Sequence, residues 1–296
     1  MTDQAKILRG LMENRPTNVR ETRSVPHGRI ARTIAVTSGK GGVGKSNVAL
    51  NLAVALSKLG SSVCLLDANF GLGNIDLLCG LNGYWNLSHV VTGARLLRDI
   101  VLEGPAGIHV IPGASGIGEI GECPDAARDD ILSQLGELER EHDFLLIDTG
   151  AGIQRCARRF VTGADVVLVL TTPEPTSIAD AYATIKSLST EQVAELDLLV
   201  TQTDSAQYAR AIAARVRQTA KVFLHTTVHS AGFIPRDPAV VEAVVRRSPF
   251  VLESPQSPAS RAIVQLARNL RDLTDAQSPR GNFFGRLWNT VAARVV

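Results

Sequence analysis

The sequence has few aromatic residues, no paired cysteine motif and no long apolar run. Phe, Tyr and Trp make up 4% of the 296 residues, whereas hydrophobic residues make up 45%, so aliphatic side chains must form the core. The four cysteines form no CxxC motif and no Cys/His pattern of zinc type, which favours a reduced cytosolic compartment. No eighteen consecutive apolar residues occur, and residues 1–16 lack the apolar centre of a signal peptide. Any membrane contact is therefore expected to be peripheral.

The charge of the chain is small overall but uneven. The formal net charge is +2 and the isoelectric point is near 8.4, which gives no nucleic-acid footprint by itself. Residues 205–296 contain 13 Arg and Lys against five Asp and Glu. We therefore expect no nucleic-acid partner, although the last third of the chain is basic.

Short apolar runs alternate along the chain with helical patterns. The runs TIAVTS, SVCLLD, IHVIPG, DFLLIDT, DVVLVLTT and LDLLVTQT are near-continuously apolar, as buried strands of parallel sheets are. The intervals between them, such as residues 48–59, 126–141 and 177–188, have the spacing of amphipathic helices. The pattern predicts a doubly wound α/β fold, with a mostly parallel sheet covered by helices on both faces.

The same pattern divides the chain into four parts. Residues 1–32 combine a short amphipathic segment with a polar tether, and residues 33–273 hold the alternating strands and helices. Residues 274–282 form a polar linker, and residues 283–296 form a final apolar-rich segment. We therefore expect one α/β domain between two short appendages.

The stretch TSGKGGVGKSN, at residues 37–47, follows the first predicted strand and precedes the first predicted helix. It satisfies the pattern G-x-x-x-x-G-K-[ST], in which glycines let backbone N–H groups point at phosphate oxygens and the helix N-terminus adds partial positive charge. We expect Lys45 to reach the β and γ phosphates and the Ser46 hydroxyl to bind Mg²⁺. The nucleotide-binding residues predicted from this motif are Gly39, Lys40, Gly41, Gly42, Val43, Gly44, Lys45, Ser46 and Asn47.

Asp148 stands near the end of the apolar run DFLLIDT, further along the chain. A carboxylate at the end of a buried strand, paired with a P-loop, is typical of the Walker B residue that organises the magnesium shell. Gly150 and Gly152 follow it and are expected to approach the γ phosphate. The sequence thus predicts Ser46 and Asp148 as the metal-binding residues.

The segment KGGVGKS, from Lys40 to Ser46, resembles the signature of the deviant Walker A ATPases, the MinD/ParA family. The resemblance implies ATP as the nucleotide, with Lys45 on its own nucleotide and Lys40 on the nucleotide of a partner subunit. Two subunits that each bring a cation to the other's triphosphate gain affinity only when ATP is present. We therefore expect an ATP-hydrolysing protein that forms an ATP-dependent homodimer.

Within that family the chain is most similar to the FlhG group, which regulates the number and placement of flagella. The similarity rests on DQAKILR at residues 3–9, LLDANFGLGNIDLLCGL at residues 65–81 and the segment of residues 232–270. In that group the N-terminal element stimulates the signal-recognition-type GTPase FlhF. The resemblance therefore implies an FlhF-like partner, with flagellar C-ring proteins as further candidates; the alternative is an ordinary frayed helix. The partner-contact residues would be Asp3, Gln4, Leu8 and Arg9.

The strand after the P-loop helix departs from the family pattern. The family has two aspartates one residue apart, the second of which holds the attacking water, whereas this sequence has Asp67 and Asn69. An amide hydrogen-bonds water but does not accept its proton. The resemblance therefore implies nucleotide binding with slow hydrolysis, and catalytic roles for Asp67, Asn69 and Asp148 beside the two lysines.

The resemblance also places the base of the nucleotide. Gln202, after the run LDLLV, and the IPRDP loop with Pro235 and Asp237 occupy the family's adenine-binding region. Gln202 stands where the family more usually has Asn.

The final segment, FFGRLWNTVAARVV, has the pattern of an interfacial helix. At 100° per residue its bulky apolar side chains share one arc, and Arg286 and Asn289 lie opposite. We expect this arc to bind lipids on the cytoplasmic face of the cell membrane; the alternative is a terminal helix docked on its own domain. The predicted membrane-contact residues are Phe283, Phe284, Leu287, Trp288 and Val291.

Three other functions remain open from the sequence. A MinD-type regulator of the division site shares the fold and the membrane helix, but the DQAKILR element argues against it. A ParA-type DNA partition ATPase would hold phosphates with surface arginines such as Arg246 and Arg268, and it does not need the aromatic terminal helix. An iron–sulfur carrier would use dimer-facing cysteines, for which Cys123 and Cys156 are candidates although they form no paired motif.

Overall fold

The computed structural model describes residues 30–69, 73–113, 125–151, 155–191, 193–276 and 282–292. Eight strands of these residues form a single sheet with the order β3-β4-β2-β5-β1-β6-β7-β8. Neighbouring strands are parallel except β3 and β4, which pair antiparallel at one edge. The strands are β1 (Arg32–Ser38), β2 (Val63–Ala68), β3 (Leu102–Glu103), β4 (His109–Ile111), β5 (Phe144–Ala151), β6 (Val166–Thr171), β7 (Glu195–Thr203) and β8 (His229–Pro235).

Helices cover both faces of the sheet, and the predicted doubly wound α/β fold is confirmed. A 3₁₀ turn at Pro105–Gly107 precedes β4. The helices are α1 (Lys45–Lys58), α2 (Ile75–Leu78), α3 (Leu87–Val91), α4 (Leu97–Ile100), α5 (Asp125–Glu141), α6 (Arg155–Gly163), α7 (Pro175–Leu188), α8 (Ala206–Leu224), α9 (Pro238–Val245), α10 (Phe250–Glu253), α11 (Pro258–Ala276) and α12 (Phe283–Ala292).

The buried side chains form one apolar cluster on each face of the sheet. One cluster packs the sheet against α1 and α9 to α11, and the other packs it against α3 to α8 and α12. Along β1, Ile34 and Val36 belong to the first cluster while Ala35 belongs to the second, because successive strand side chains point to opposite faces. Covering both faces explains why the strands are apolar at nearly every position.

The strand order brings the predicted phosphate-binding and metal-binding residues together. Strand β5 lies between β2 and β1, so that Asp148 pairs in register with Asp67 on one side and with Val36 on the other. The P-loop follows β1 directly. Because these strands are parallel, their carboxyl ends open at the same edge of the sheet, where ligands bind in open α/β folds.

Helix α12 docks on the domain instead of projecting from it. Phe283, Phe284 and Leu287 are at most 4% exposed, and they belong to the apolar cluster that covers α5 and α6. The ring of Phe283 lies 6.4 Å from that of Phe160 and meets Phe284 edge-on at 5.0 Å between centroids. Each buried aromatic or aliphatic side chain contributes about 1.5–3 kcal/mol relative to exposure.

This docking corrects the expected exposure of the terminal apolar arc. In the structure Phe283, Phe284 and Leu287 face the protein and are not available to lipid; the side chains of Trp288 and Val291 lie outside the described residues. The physical reason is that a neighbouring apolar surface removes the same side chains from water as completely as a membrane does.

Polar contacts fix the start of α12 on the domain. The backbone N–H of Phe283 donates to both carboxylate oxygens of Glu139, at 2.9 and 3.0 Å, which satisfies an orphan donor at the positive end of the helix. Arg286 donates to the carbonyl of Gly163 at 2.8 Å and lies 3.7 Å from the carboxylate of Asp165. Burial raises the pKa of Glu139, against the effect of these hydrogen bonds and of Arg286.

The remaining parts of the predicted division are only partly described. Helix α11 continues to Ala276, inside the segment expected to be a polar linker. The N-terminal element, with Asp3, Gln4, Leu8 and Arg9, lies outside the described residues. Among the helices that are described, none is both long and apolar enough to cross a bilayer.

Replacing Phe283 with Ala should release α12 locally. Truncating a fully buried Phe costs about 3–5 kcal/mol, and a terminal helix with one interface can escape that cost by separating. We expect the amides of residues 287–292 to exchange hydrogen much faster in Phe283→Ala, while those of β1 and β6 stay protected. Phe223→Ala, at a Phe that is 72% exposed, is the matched control. Unchanged exchange in Phe283→Ala would contradict the docking.

Candidate nucleotide site

The phosphate loop turns from β1 into α1 through residues that need glycine. Gly42 and Gly44 have φ angles of +78° and +95°, a region that residues with a Cβ atom enter only at a cost. Gly44 is also the residue that caps α1, which begins at Lys45. The N-terminus of a long helix therefore points into the loop, where it favours a negatively charged ligand.

Neighbouring elements hold the loop in this shape. A Cβ atom on Gly39 would collide with the backbone of Asp180 in α7. From β7, the Thr201 hydroxyl donates to the carbonyl of Val43 at 2.8 Å, and the Gln202 side-chain amide donates to the carbonyl of Gly42 at 2.8 Å. The loop is thus fastened on one side by α7 and on the other by β7.

Lys45 lies inside its own loop. Its side chain is 9% exposed, and its Nζ atom donates to the hydroxyl of Ser38 at 3.0 Å. The Ser38 hydroxyl in turn donates to the carbonyl of Lys40 at 2.6 Å. Burial lowers the pKa of Lys45, and the nearby carboxylate of Asp148 opposes that shift. A cation so placed is positioned for the phosphates that the loop encloses.

Lys40 points away from the loop that contains it. Its Nζ atom forms an ion pair with Glu174 and donates to the hydroxyl of Thr176 at 3.1 Å. Both partners belong to the start of α7, where Glu174 is the capping residue. The lysine side chain is 37% exposed and the glutamate side chain 63%, so the pair is a surface contact of small energy. The two lysines of the motif therefore face different directions.

Asp148 has the features of a magnesium-binding carboxylate. It is 1% exposed, one side-chain oxygen interacts with Ser46, and its Oδ1 atom has no hydrogen-bond partner within the described residues. Burial raises its pKa to about 7, and the neighbouring Asp67 adds to the shift. A bound cation would satisfy the buried oxygen and favour the charged carboxylate.

The donor set fits Mg²⁺ bound together with a nucleotide. Among the described residues no group of three or more His, Cys, Asp and Glu is arranged to hold a metal. Mg²⁺ usually takes one or two carboxylates and completes its shell with substrate phosphates and water. The Ser46 hydroxyl and the Asp148 carboxylate would supply the protein ligands of that shell.

Asp67 shapes the loop that follows β2. Its Oδ1 accepts from the backbone N–H of Asn69 at 3.1 Å, and its Oδ2 accepts from that of Ile75 at 3.2 Å. A Cβ atom on Gly73 would lie 2.6 Å from Oδ2, so glycine allows this close approach. Burial raises the pKa of Asp67, while these hydrogen bonds oppose the shift. Each oxygen thus accepts a backbone N–H group of the loop that follows β2.

Asn69 lies at the end of β2, next to the strand that carries Asp148. A Cβ atom on Gly150 would lie 2.9 Å from the Asn69 side-chain oxygen, which places the amide against the segment two residues after Asp148. Asn69 is therefore near the place where the γ phosphate is expected. Gly152 lies outside the described residues.

A cavity of about 930 Å³ adjoins the phosphate loop and is bounded by the ends of β7 and β8. Gln202, Pro235 and Asp237, which the sequence predicted to contact the base, line this cavity. Gln202 has a φ of +55°, and such strained non-glycine backbone clusters at ligand sites. The Asp237 carboxylate accepts from the backbone N–H groups of Ala239 and Ala259, at 3.0 and 2.9 Å. Asp237 therefore connects the start of α9, which forms one side of the cavity, to the start of α11.

Sequence reasoning missed several residues that organise the site. Each is distant in sequence from the group it holds or is too common a residue to stand out from a pattern. The missed residues are Ser38 on Lys45, Thr201 under the loop, Glu174 and Thr176 on Lys40, and Asp204 at the rim of the cavity.

Together these groups can bind a nucleoside triphosphate and charge-stabilise phosphoryl transfer. Lys45 and the loop N–H groups would hold phosphate oxygens, Ser46 and Asp148 would hold the metal, and the cavity would take the base. Mg²⁺, when bound, neutralises charge on the phosphates and orients them.

The close contact between Gly39 and α7 predicts that a side chain at residue 39 destabilises the protein. Gly39→Ala must push the loop away from Asp180, because the clash is with backbone, whereas Gly41→Ala meets nothing within 4 Å. Overpacking costs about 1–3 kcal/mol, so without nucleotide we expect the melting temperature of Gly39→Ala to fall by about 2 °C or more and that of Gly41→Ala to stay. Equal melting temperatures would show that α7 does not constrain the loop.

The chain is similar in sequence to P-loop NTPases and to proteins that regulate flagella. The family described as "ParA: NUBPL iron-transfer P-loop NTPase" matches residues 29–92, which include the phosphate loop and β2. The chain is 37% identical to the antiactivator FleN of Pseudomonas aeruginosa over 85% of this chain and 90% of FleN. It is 35% identical to the flagellum site-determining protein YlxH of Helicobacter pylori over 79% of this chain and 80% of YlxH.

A solved structure shows the same architecture. MinD in the MinC:MinD cell division complex of Aquifex aeolicus superimposes with a TM-score of 0.68 at 28% identity, covering 82% of this chain and 96% of that one. The P-loop geometry, the doubly wound sheet and these similarities agree. The chain therefore belongs to the MinD/ParA family of P-loop ATPases, in the branch that contains the flagellar regulators FleN and FlhG.

Proposed function

We propose that this protein is a MinD-like ATPase switch of the FlhG type, which forms a homodimer when it binds Mg-ATP. The observation that carries the proposal is the divergence of the two lysines: Lys45 is buried inside its own loop, whereas Lys40 is directed outward onto Glu174 and Thr176. Lys45 can therefore serve the nucleotide of its own subunit. Lys40 is directed so that it can contact the nucleotide of a second subunit.

The outward position of Lys40 has an electrostatic consequence. Its contact with Glu174 is exposed and weak, whereas a triphosphate offers several charge-assisted acceptors in a site that a second subunit would close to water. A facing subunit with bound ATP can thus take Lys40 from Glu174 at little cost. ATP then becomes a ligand that both subunits share.

The experiment measures oligomeric state by light scattering with Mg²⁺ and a non-hydrolysable ATP analogue. We expect the parent protein to be dimeric with the analogue and monomeric with ADP. Lys40→Ala should bind nucleotide but remain monomeric, and Lys45→Ala should lose nucleotide affinity by about tenfold or more. Lys58→Ala, at a lysine distant from the loop on α1, is the control. A Lys40→Ala protein that dimerises like the parent would refute the cross-subunit role.

The cellular role that we propose is control of flagellar number and placement at the cytoplasmic face of the membrane. Its support is the similarity to FleN and YlxH and the resemblance of residues 3–9 to an element that contacts an FlhF-like GTPase. Flagellar C-ring proteins and membrane lipids are the other partners we infer.

Membrane binding requires that α12 leave its docked position. Its apolar residues are buried against the domain, so a lipid surface competes with α5 and α6 for the same side chains. Dimerisation raises the effective concentration of the second helix once the first is bound. We infer that nucleotide state shifts α12 from the domain to the membrane.

Slow hydrolysis is the expected property of the site around Asn69. The amide at this position cannot take a proton from water, and the Asp67 carboxylate is engaged with the backbone N–H groups of Asn69 and Ile75. Groups that position or deprotonate the nucleophile typically contribute about 10²–10⁴-fold. The ATP-bound state should therefore be long-lived.

Asn69→Asp should speed hydrolysis and destabilise the protein without nucleotide. A third carboxylate would lie beside Asp67 and Asp148, so we expect faster single-turnover phosphate release, by about tenfold or more, together with a lower melting temperature that Mg-ATP restores. Asn69→Ala is the control for loss of the amide. If Asn69→Asp released phosphate no faster than the parent, Asn69 would not occupy the position of the catalytic carboxylate.

A further inference from the structure

Helix α8 carries a basic outer surface that the nucleotide site does not use. From residue 205 to residue 236 the sequence has no Asp or Glu, whereas it has four Arg and one Lys. Arg210, Arg215 and Lys221 on α8 are exposed, and none of the ion pairs within the described residues involves them. The surface is therefore open to an anionic partner.

The C-terminal end of the same helix exposes two apolar side chains next to one of these cations, Lys221. Val222 is 50% exposed and Phe223 is 72% exposed, directly after Lys221. Two adjacent exposed apolar side chains next to a cation offer apolar surface that a partner can remove from water. Cations beside bulky apolar groups are the composition of segments that lie at a membrane interface.

This end of α8 lies at the same edge and on the same face of the sheet as α12. Residue His229, which follows the helix, pairs with Asp197 near the start of β7, and Arg286 of α12 contacts Gly163 and Asp165 just before the start of β6. Parallel strands start at one common edge. The buried residues of α8 and α12 also belong to one apolar cluster.

We propose that the C-terminal end of α8 forms a second membrane contact, which binds anionic lipid headgroups through Lys221 and inserts Phe223. The exposed Arg215, one to two turns earlier, adds to the positive potential that attracts such lipids. The inference rests on the proposed role of the protein at the cytoplasmic face of the membrane, and adds to it a second contact site and the class of lipid. An anionic polymer such as DNA would match the cations but would leave Phe223 without a role. Position beside α12 and the exposed Phe together favour the lipid surface.

Two contacts on one face explain how a short terminal helix can hold the protein. Each basic residue near an anionic membrane surface strengthens binding by about fivefold, and contacts that are already tethered act at high effective concentration. The α8 contact is present whether or not α12 is docked. It would bring the protein to anionic membranes before α12 is released.

The experiment measures binding of the full-length protein, with Mg²⁺ and a non-hydrolysable ATP analogue, to phosphatidylcholine vesicles with and without phosphatidylglycerol. We expect Lys221→Glu to weaken binding to the anionic vesicles by about tenfold or more and Phe223→Ser to weaken it severalfold. Arg268→Glu, an equal charge reversal at an exposed site of α11 on the opposite face, should bind like the parent. Vesicles without phosphatidylglycerol should bind less and not respond to Lys221→Glu.

The outcomes separate this inference from the role of α12. If removal of residues 282–296 abolishes binding while Lys221→Glu binds like Arg268→Glu, the α8 contact is refuted and the α12 role stands. If the truncated protein still binds anionic vesicles and remains sensitive to Lys221→Glu, the α8 contact stands and the α12 role fails. Loss of duplex-DNA binding in Lys221→Glu with unchanged vesicle binding would assign the surface to nucleic acid and overturn the proposal.

Discussion

The constraint on which the rest of the site depends is the fastening of the phosphate loop between α7 and β7. Glycines permit the loop, but glycine alone leaves a chain free to adopt many conformations. The close contact of Gly39 with Asp180 and the hydrogen bonds from Thr201 and Gln202 select one of them. The loop N–H groups are thereby held in place before a ligand arrives, so binding costs less ordering.

The same fastening separates the tasks of the two lysines. Because the loop is held at both sides, Lys45 turns inward to Ser38 and the buried carboxylate of Asp148, while Lys40 emerges beside the start of α7. A loop that could rotate freely would not distinguish an inner cation from an outer one. Glu174, at the cap of α7, holds Lys40 in this position. In the proposed dimer, Glu174 would have to release Lys40 when the second subunit binds.

The sequence predicted the sheet, the phosphate loop and the position of Asp148 because each of them depends on a pattern within a short stretch of the chain. The patterns are the apolar strands, the glycine spacing and the carboxylate at a strand end. It could not predict that Glu174 holds Lys40 or that Glu139 caps α12, because these partners lie more than 130 residues apart in the chain. The terminal helix shows the limit most clearly. An apolar arc predicts that some surface covers Phe283, Phe284 and Leu287. It does not distinguish a lipid surface from the surface of the protein's own domain.

Linkage between nucleotide binding and assembly is the central claim, and the dependence of nucleotide affinity on protein concentration tests it most directly. If ATP is shared between subunits, the apparent dissociation constant of an ATP analogue, measured by calorimetry, should fall as protein concentration rises, whereas that of ADP should not change. The Lys40→Ala protein should lose the dependence and keep the monomer affinity. An ATP affinity that is the same at every protein concentration would contradict the account.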